Sequence, residues 1–354
     1  MAGLYSNLKF LQHGEHLESL RSGQLLAPVH IRIKPINRCN HACWYCAYRS
    51  DSLQLGNRMD LQDRIPEDKM AEIIDDIIAM QVKAVTFSGG GEPMLYKGLP
   101  AIVERLGRAK VKVASLTNGS NLQGDMADSF AEWGAWVRVS LDGWDDASYA
   151  AARSIAPGSF TRLIANMRAF ARRNSACVLG VSFIIGRDNH AHIVEICRLL
   201  KQVGVNHVKL AGAVVANDAA ANNLYHQDFR AAVSAQIAEA QGMNDAHFTV
   251  VDHYHALDER FQKGYHSCPF LHYLTVIGAD CAVYSCQDKA YTDVGRLGSI
   301  RDRSFREFWF SAENRLTLAQ LDPSQACRHH CVAHGKNLAL HDLLGLDPDH
   351  VAFV

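Results

Sequence analysis

Cys39-Asn40-His41-Ala42-Cys43-Trp44-Tyr45-Cys46 places three thiols within eight residues, directly behind a β-rich run over 29–34. Four cysteines holding a four-iron cluster make an electron carrier, whereas three leave one iron open for a substrate or cofactor, as catalytic metal sites do. A zinc ion is the alternative occupant. It would want a fourth ligand, which His41 could supply, and usually a C-x-x-C pair.

Outward from this loop, β-rich runs recur at 82–87, 111–116, 135–141, 177–185 and 206–210, with amphipathic stretches between them. The clearest helix opens at Ile65-Pro66-Glu67, with proline and acids in its first turn, and sets Met70, Ile73, Ile74, Ile77 and Ile78 on one face. Six such repeats imply an α/β fold with a parallel sheet covered by helices, satisfied by either a partial barrel or an open doubly wound sheet. Past 210 the alternation stops. Residues 211–223 read as a polar loop at the C-terminal end of the sixth strand, where ligand loops gather in parallel sheets. A helix is expected over about 224–240 and a strand-like run over 248–251. No repeats or low-complexity tracts occur. The divisions read from the chain are an N-terminal extension (1–27), the repeat core (28–212), a connecting loop and helix (213–265) and a small cysteine-bearing domain (266–354).

With 354 residues and 48% hydrophobic content the chain can bury a full-sized core. Lys plus Arg (36) nearly cancel Asp plus Glu (37), so net charge gives no reason to expect nucleic acid or an anionic membrane as partner. A small-molecule substrate is the expectation. No apolar stretch approaches the roughly 20 residues that span a bilayer, and no signal-peptide pattern opens the chain, which points to the cytoplasm. Ten cysteines in such a chain argue for metal or redox chemistry rather than a disulfide framework. Cys177 and Cys197 stand alone and read as small buried hydrophobes.

Three further segments fall at strand ends. Ser88-Gly89-Gly90-Gly91-Glu92-Pro93 follows the second strand; its glycines allow close approach of backbone, and Glu92 can accept hydrogen bonds from an ammonium group. Thr117-Asn118-Gly119 ends the third strand and Ser140-Leu141-Asp142-Gly143 the fourth, and their short polar side chains suit a ribose.

The C-x-x-x-C-x-aromatic-C pattern, with Tyr45 at the aromatic position and Gly90-Gly91-Glu92-Pro93 downstream, resembles the radical S-adenosylmethionine (SAM) superfamily over about 28–212. That resemblance implies a partial (β/α)6 barrel in which Cys39, Cys43 and Cys46 hold a 4Fe-4S cluster and SAM chelates its open iron. Reductive cleavage of SAM would give a 5′-deoxyadenosyl radical that abstracts a substrate hydrogen. It further implies SAM contacts from Tyr45, Gly90, Gly91, Glu92, Asn118, Ser140, Asp142 and Arg153, the last against the SAM carboxylate. A flavodoxin- or ferredoxin-type protein would supply the electron.

Cys268, a hairpin-like run through Cys281 and Cys286, an amphipathic helix through Phe305, Phe308 and Trp309, and Cys327-Arg328-His329-His330-Cys331 resemble the twitch form of the SPASM domain, a small hairpin-plus-helix unit. The resemblance implies a second, auxiliary 4Fe-4S cluster on Cys268, Cys286, Cys327 and Cys331. Two departures stand out. Cys281 occupies a position where the family's hairpin has glycine, and the last pair is spaced C-x-x-x-C. Cys281 could be a ligand, a hydrogen donor or a plain turn residue. Zinc on the four thiols is the alternative occupant, and His329, His330 and His334 are expected to face solvent or outer groups.

The reaction expected is hydrogen abstraction from a small hydroxylated molecule of sugar, nucleoside or aminocyclitol type, ending in oxidation or epimerisation. An epimerase would need a donor such as Cys281 or Cys177. A peptide maturase is the alternative, disfavoured by the short run before the first strand, and a non-catalytic iron-sulfur or zinc module is a third.

Overall fold

The computed structural model describes residues 5–50, 52–53, 56–255, 261–347, 349–350 and 353. Ten strands form one sheet: β1 (His30–Ile33), β2 (Ala84–Phe87), β3 (Lys112–Thr117), β4 (Gly134–Ser140), β5 (Val178–Ile185), β6 (His207–Gly212), β7 (Thr249–His253), β8 (Leu274–Ile277), β9 (Ala282–Tyr284) and β10 (Arg296–Ser299). Their spatial order is β10-β9-β8-β1-β2-β3-β4-β5-β6-β7. Strands β1 to β7 run parallel, and the sheet curls into the partial barrel that the sequence led us to expect.

Alternation along each strand decides which face sees what. In β1, Ile31 and Ile33 are fully buried beneath the helices, while His30 and Arg32 line the concave face. The helix Glu67–Ala79 packs Met70, Ile73, Ile74 and Ile77 onto the outer face, as its period predicts. Each such side chain contributes about 1.5–3 kcal/mol by leaving water. Cys177 and Cys197 are buried in this same apolar layer. Among the described residues no helix is long and apolar enough to cross a membrane.

The structure extends the expected pattern at three places. The run expected at 248–251 is β7, a seventh parallel strand pairing with β6. The helix expected over 224–240 is two helices, Ala219–Gln227 and Arg230–Gln241. Asp218 starts the first by accepting from Ala221 N at 2.7 Å, inside the stretch read as loop. Between the two, Phe229 is buried and stacks on His190 at 4.9 Å, which turns the chain. Third, the C-terminal hairpin builds no sheet of its own, because β8 pairs parallel with β1 on the side away from β2. The helix Phe305–Trp309, opened by a Ser304–Glu307 capping box, clamps this region to the core. Its Phe305, Phe308 and Trp309 are fully buried, and Trp309 Nε1 donates to Leu26 O at 2.8 Å.

The N-terminal segment closes the foot of the barrel. Phe10 packs on Tyr273, and Tyr5 reaches the concave side, where its hydroxyl pairs with His207 Nε2 at 2.9 Å.

Candidate active site

The loop after β1 carries Cys39, Cys43 and Cys46 to the C-terminal mouth of the barrel. It is pinned from two sides. Ala42 N donates to Arg153 O at 2.9 Å and Trp44 N to Ala152 O at 3.4 Å, which fixes it to the helix Asp146–Arg153. On the other side Gly91 N donates to Ile36 O at 3.2 Å and Glu92 N to Arg38 O at 3.0 Å. A Cβ on Gly91 would fall on the Arg38 carbonyl, and one on Gly90 would meet the Asn37 amide oxygen and, at 2.9 Å, the Met59 sulfur. Here the glycines serve the close approach of two backbones.

A cavity of about 380 Å³ opens beside this loop. All three cysteines line it, together with Tyr45, Gly90, Gly91, Glu92, Asn118, Ser140 and Arg153. Burial pushes the Cys39 and Cys43 thiols up. Glu92 is 2% exposed and held by three donors: Met94 N at 3.0 Å and Thr117 Oγ1 at 2.6 Å on Oε1, and Asn118 N at 2.7 Å on Oε2. Burial raises its pKa and these bonds oppose the rise. The carboxylate is thus rigid, with acceptor capacity left for a ligand.

Asp142 departs from the expected pattern, because it does not line this cavity. Its Oδ2 accepts from both Arg153 and the Tyr45 hydroxyl, and its Oδ1 accepts from Ile184 N at 2.8 Å. Here Asp142 braces Arg153 and the Tyr45 hydroxyl. Burial works against the Arg153 charge, yet Asp142, Tyr45 and Cys43 together hold the guanidinium well above its usual range. Thr117 and His41, both singled out in the sequence, line the cavity as well, and burial lowers the His41 ring to about 4; Ile184, Arg49 and Tyr48 line it without having been foreseen. Arg49 and Tyr48 follow the cysteine motif directly, whereas Ile184 sits at the end of β5 and carried no local signal.

Cys268, Cys286, Cys327 and Cys331 come together around a second cavity of about 410 Å³ that runs along the concave face. Asn337 Nδ2 donates to Cys268 Sγ at 3.2 Å, the hydrogen bond to sulfur that metal-sulfur sites use. Burial raises Cys268 and Cys331 to about 12. His329 departs from expectation. It is 6% exposed with both ring nitrogens unpartnered, and it gathers with Asp288 and Cys331, their ligating atoms within 4.8 Å of one another. Cys281 sits in the hairpin turn with φ 58°, packed in the main hydrophobic cluster. It lines neither cavity, so hydrogen donation or ligation from this thiol has no geometric support. Cys177, near the N-terminal end of β5, is remote in the same way.

No three thiols of either set lie within 4.8 Å of one another among the described residues. Sulfurs around a tetrahedral zinc, with Zn–S about 2.3 Å, stand about 3.8 Å apart. Neither set of thiols is gathered as tightly as that among the described residues.

Lys34 Nζ donates to Tyr48 OH at 2.7 Å and to Gly89 O, and lies within electrostatic reach of both Cys46 and Cys286. Burial lowers its pKa to about 7.

The sequence model of the Radical SAM superfamily matches residues 33–210. The pre-heme d1 synthase of Dinoroseobacter shibae is 31% identical over 208 residues, 57% of this chain and 48% of that protein. The GTP 3′,8-cyclase 2 of Pseudomonas aeruginosa is 30% identical over 125 residues, 35% of this chain and 36% of the relative. The chain thus spans about half the length, or less, of the curated relatives it matches. Among solved structures, Streptococcus suis SuiB bound to S-adenosylmethionine superposes with a TM-score of 0.64 at 13% identity, over 91% of this chain and 77% of that one.

Proposed function

Because this chain belongs to the radical SAM superfamily, whose members use a 4Fe-4S cluster and SAM, we propose that it is a two-cluster enzyme oxidising a small hydroxylated molecule held inside the barrel. When bound, the first cluster with SAM supplies a 5′-deoxyadenosyl radical that takes hydrogen from a substrate carbon, and the second supplies an acceptor for the electron that carbon then gives up. Cys39, Cys43 and Cys46 would hold the first, and Cys268, Cys286, Cys327 and Cys331 the second.

The observation that carries this reading is that two separate cysteine sets face cavities of one barrel, Cys39, Cys43 and Cys46 lining the first and Cys268, Cys286, Cys327 and Cys331 the second. A small molecule held in the barrel between these cavities would face both cysteine sets. Around the first set, Glu92 offers a fixed carboxylate to an ammonium group, while Asn118 and Ser140 offer short polar groups to a sugar. A hydroxyl proton has to leave to water as a carbonyl forms. The buried position of Cys281 favours oxidation over epimerisation, which needs a hydrogen returned to the substrate. The likeness to SuiB is one of fold, so a peptide substrate has no observation of its own. The electron for SAM cleavage would come from a flavodoxin- or ferredoxin-type donor.

The test is anaerobic turnover of the reconstituted protein with SAM and deuterated sugars, nucleosides or aminocyclitols. Deuterium in 5′-deoxyadenosine together with a carbonyl product is expected. No 5′-deoxyadenosine, or an epimer carrying solvent hydrogen, would overturn the oxidation.

A further inference from the structure

His329 lines the 410 Å³ cavity together with Cys268, Cys286, Cys327 and Cys331. Its side chain is buried, and neither ring nitrogen has a partner. A neutral imidazole carries one donor and one acceptor, and burying both unsatisfied costs free energy that a bound group would offset. His334, by contrast, pairs with the Tyr265 hydroxyl at 3.1 Å.

The segment that carries the ring is held at two points. Lys263 Nζ donates to His329 O at 2.9 Å and to Phe261 O at 3.0 Å, and Val332 N donates to the Asp288 carboxylate at 3.1 Å. Asp288, His329 and Cys331 each bring one ligating atom to within 4.8 Å of the other two, and among the described residues no other three such side chains gather so closely. The thiols alone do not. A histidine that ligates metal ordinarily passes its other ring N–H to a carboxylate or a carbonyl, and Asp288 is a carboxylate at that short range. In sequence the imidazole falls midway between the last two thiols, inside the wide Cys327-Arg328-His329-His330-Cys331 spacing.

We infer that His329 ligates iron in the second cavity through a ring nitrogen, so that the auxiliary cluster has mixed nitrogen and sulfur ligation. This rests on the second cavity holding that cluster, as proposed above. Four thiols and one imidazole are one donor more than a four-iron cluster takes, so one of the four cysteines is not a ligand. A neutral imidazole in place of a thiolate removes one negative charge from the cluster and its ligands. The cluster is then easier to reduce, as in Rieske centres, which suits an acceptor for the electron that a substrate radical gives up.

The experiment is pulsed EPR of the full-length protein, reconstituted anaerobically and reduced, with its histidine nitrogens isotopically labelled. SAM is left out, so that no SAM amine stands beside the first cluster. A hyperfine coupling of the size given by a directly bonded nitrogen is expected in the wild type, and it should vanish in His329→Ala and in His329→Cys. The second variant offers a thiol at the same place. It should keep the iron of both clusters, and its second cluster should have a lower midpoint potential than the wild type in a redox titration. No histidine coupling in the wild type, a coupling that persists in both variants, or only the weak coupling of a hydrogen-bonded imidazole would overturn the inference. So would equal midpoint potentials in the wild type and His329→Cys. Where both variants fail to fold, the labelled wild type still decides. Iron is measured on the same preparations. Iron for one cluster only overturns the two-cluster reading and the inference with it, and iron for two without the coupling overturns the ligand alone. The coupling in a two-cluster protein that makes no carbonyl product supports the ligand and overturns only the proposed oxidation.

Discussion

Asp142→Asn removes one negative charge and almost no volume, which makes it the sharpest probe of how the cysteine loop is held. Both partners of the Asp142–Arg153 pair are nearly inaccessible, their side chains 2% and 3% exposed. The carboxylate takes hydrogen bonds from Arg153, the Tyr45 hydroxyl and Ile184 N. The amide keeps at most part of this set and leaves the guanidinium buried without a counter-charge. Breaking one side of such a pair costs about 3–5 kcal/mol. The loss passes to the loop, because Arg153 O and Ala152 O hold Ala42 N and Trp44 N. The assay is urea unfolding of the cluster-free protein, read as a change in midpoint at unchanged slope, followed by iron analysis after reconstitution. A destabilisation of about 3 kcal/mol or more, with iron lost from one cluster, is expected. The double change Asp142→Leu with Arg153→Met should recover much of the stability, since the orphaned charge is gone. A shift below about 1 kcal/mol in Asp142→Asn would refute the reasoning, placing the pair with surface ion pairs of little worth.

Gly91→Ala should destabilise by about 1–3 kcal/mol, because its Cβ would fall on the Arg38 carbonyl and push the cysteine loop outward. Gly14→Ala, where nothing lies within 4 Å, should cost nothing on the same urea assay. Asn337→Leu removes the donor to Cys268 Sγ and should lower the midpoint potential of the second cluster in an EPR-monitored redox titration while iron content holds. Burial depresses His207 to about 4 and His30 to about 3, so below pH 6.5 the unfolded chain takes up protons that the folded protein refuses. Stability should therefore fall as pH drops from about 6.5 toward 4, and His207→Asn should flatten that slope in urea midpoints measured across the range.

The six strands and the helix Glu67–Ala79 were legible because burial on one face writes a period of two or 3.6 into the residues, as in Ile31 and Ile33 or Met70 to Ile77. The cysteine sets were legible as spacing. What stayed hidden depends on contacts between distant segments. Nothing near Asp142 announces that it will pair with Arg153, since the pairing needs the helix Asp146–Arg153 to turn back over the strand end. The alternation His30-Ile31-Arg32-Ile33 reads equally well for a strand with one wet face; only the curl of the sheet turns that face inward. His329 looked like an exposed residue in a polar run, and it is buried because the segment 327–331 folds over Asp288. Asn337 belongs to the final helix, His334–Leu344, and no local pattern ties it to Cys268.

The partner of β1 on one side is β2, about fifty residues further along, but on the other it is β8, some 240 residues away. A ribosome releases these segments in order, so the nascent chain carries β1 with a bare row of amides and carbonyls until residues 274–277 emerge. Such an edge invites pairing with other chains. The cations along it, Arg32 and Lys34, are among the residues that discourage that pairing. Side chains that finish as the lining of the barrel therefore also guard the strand through most of its synthesis, and replacing them with apolar residues would be felt in the yield of intact protein before it was felt in turnover.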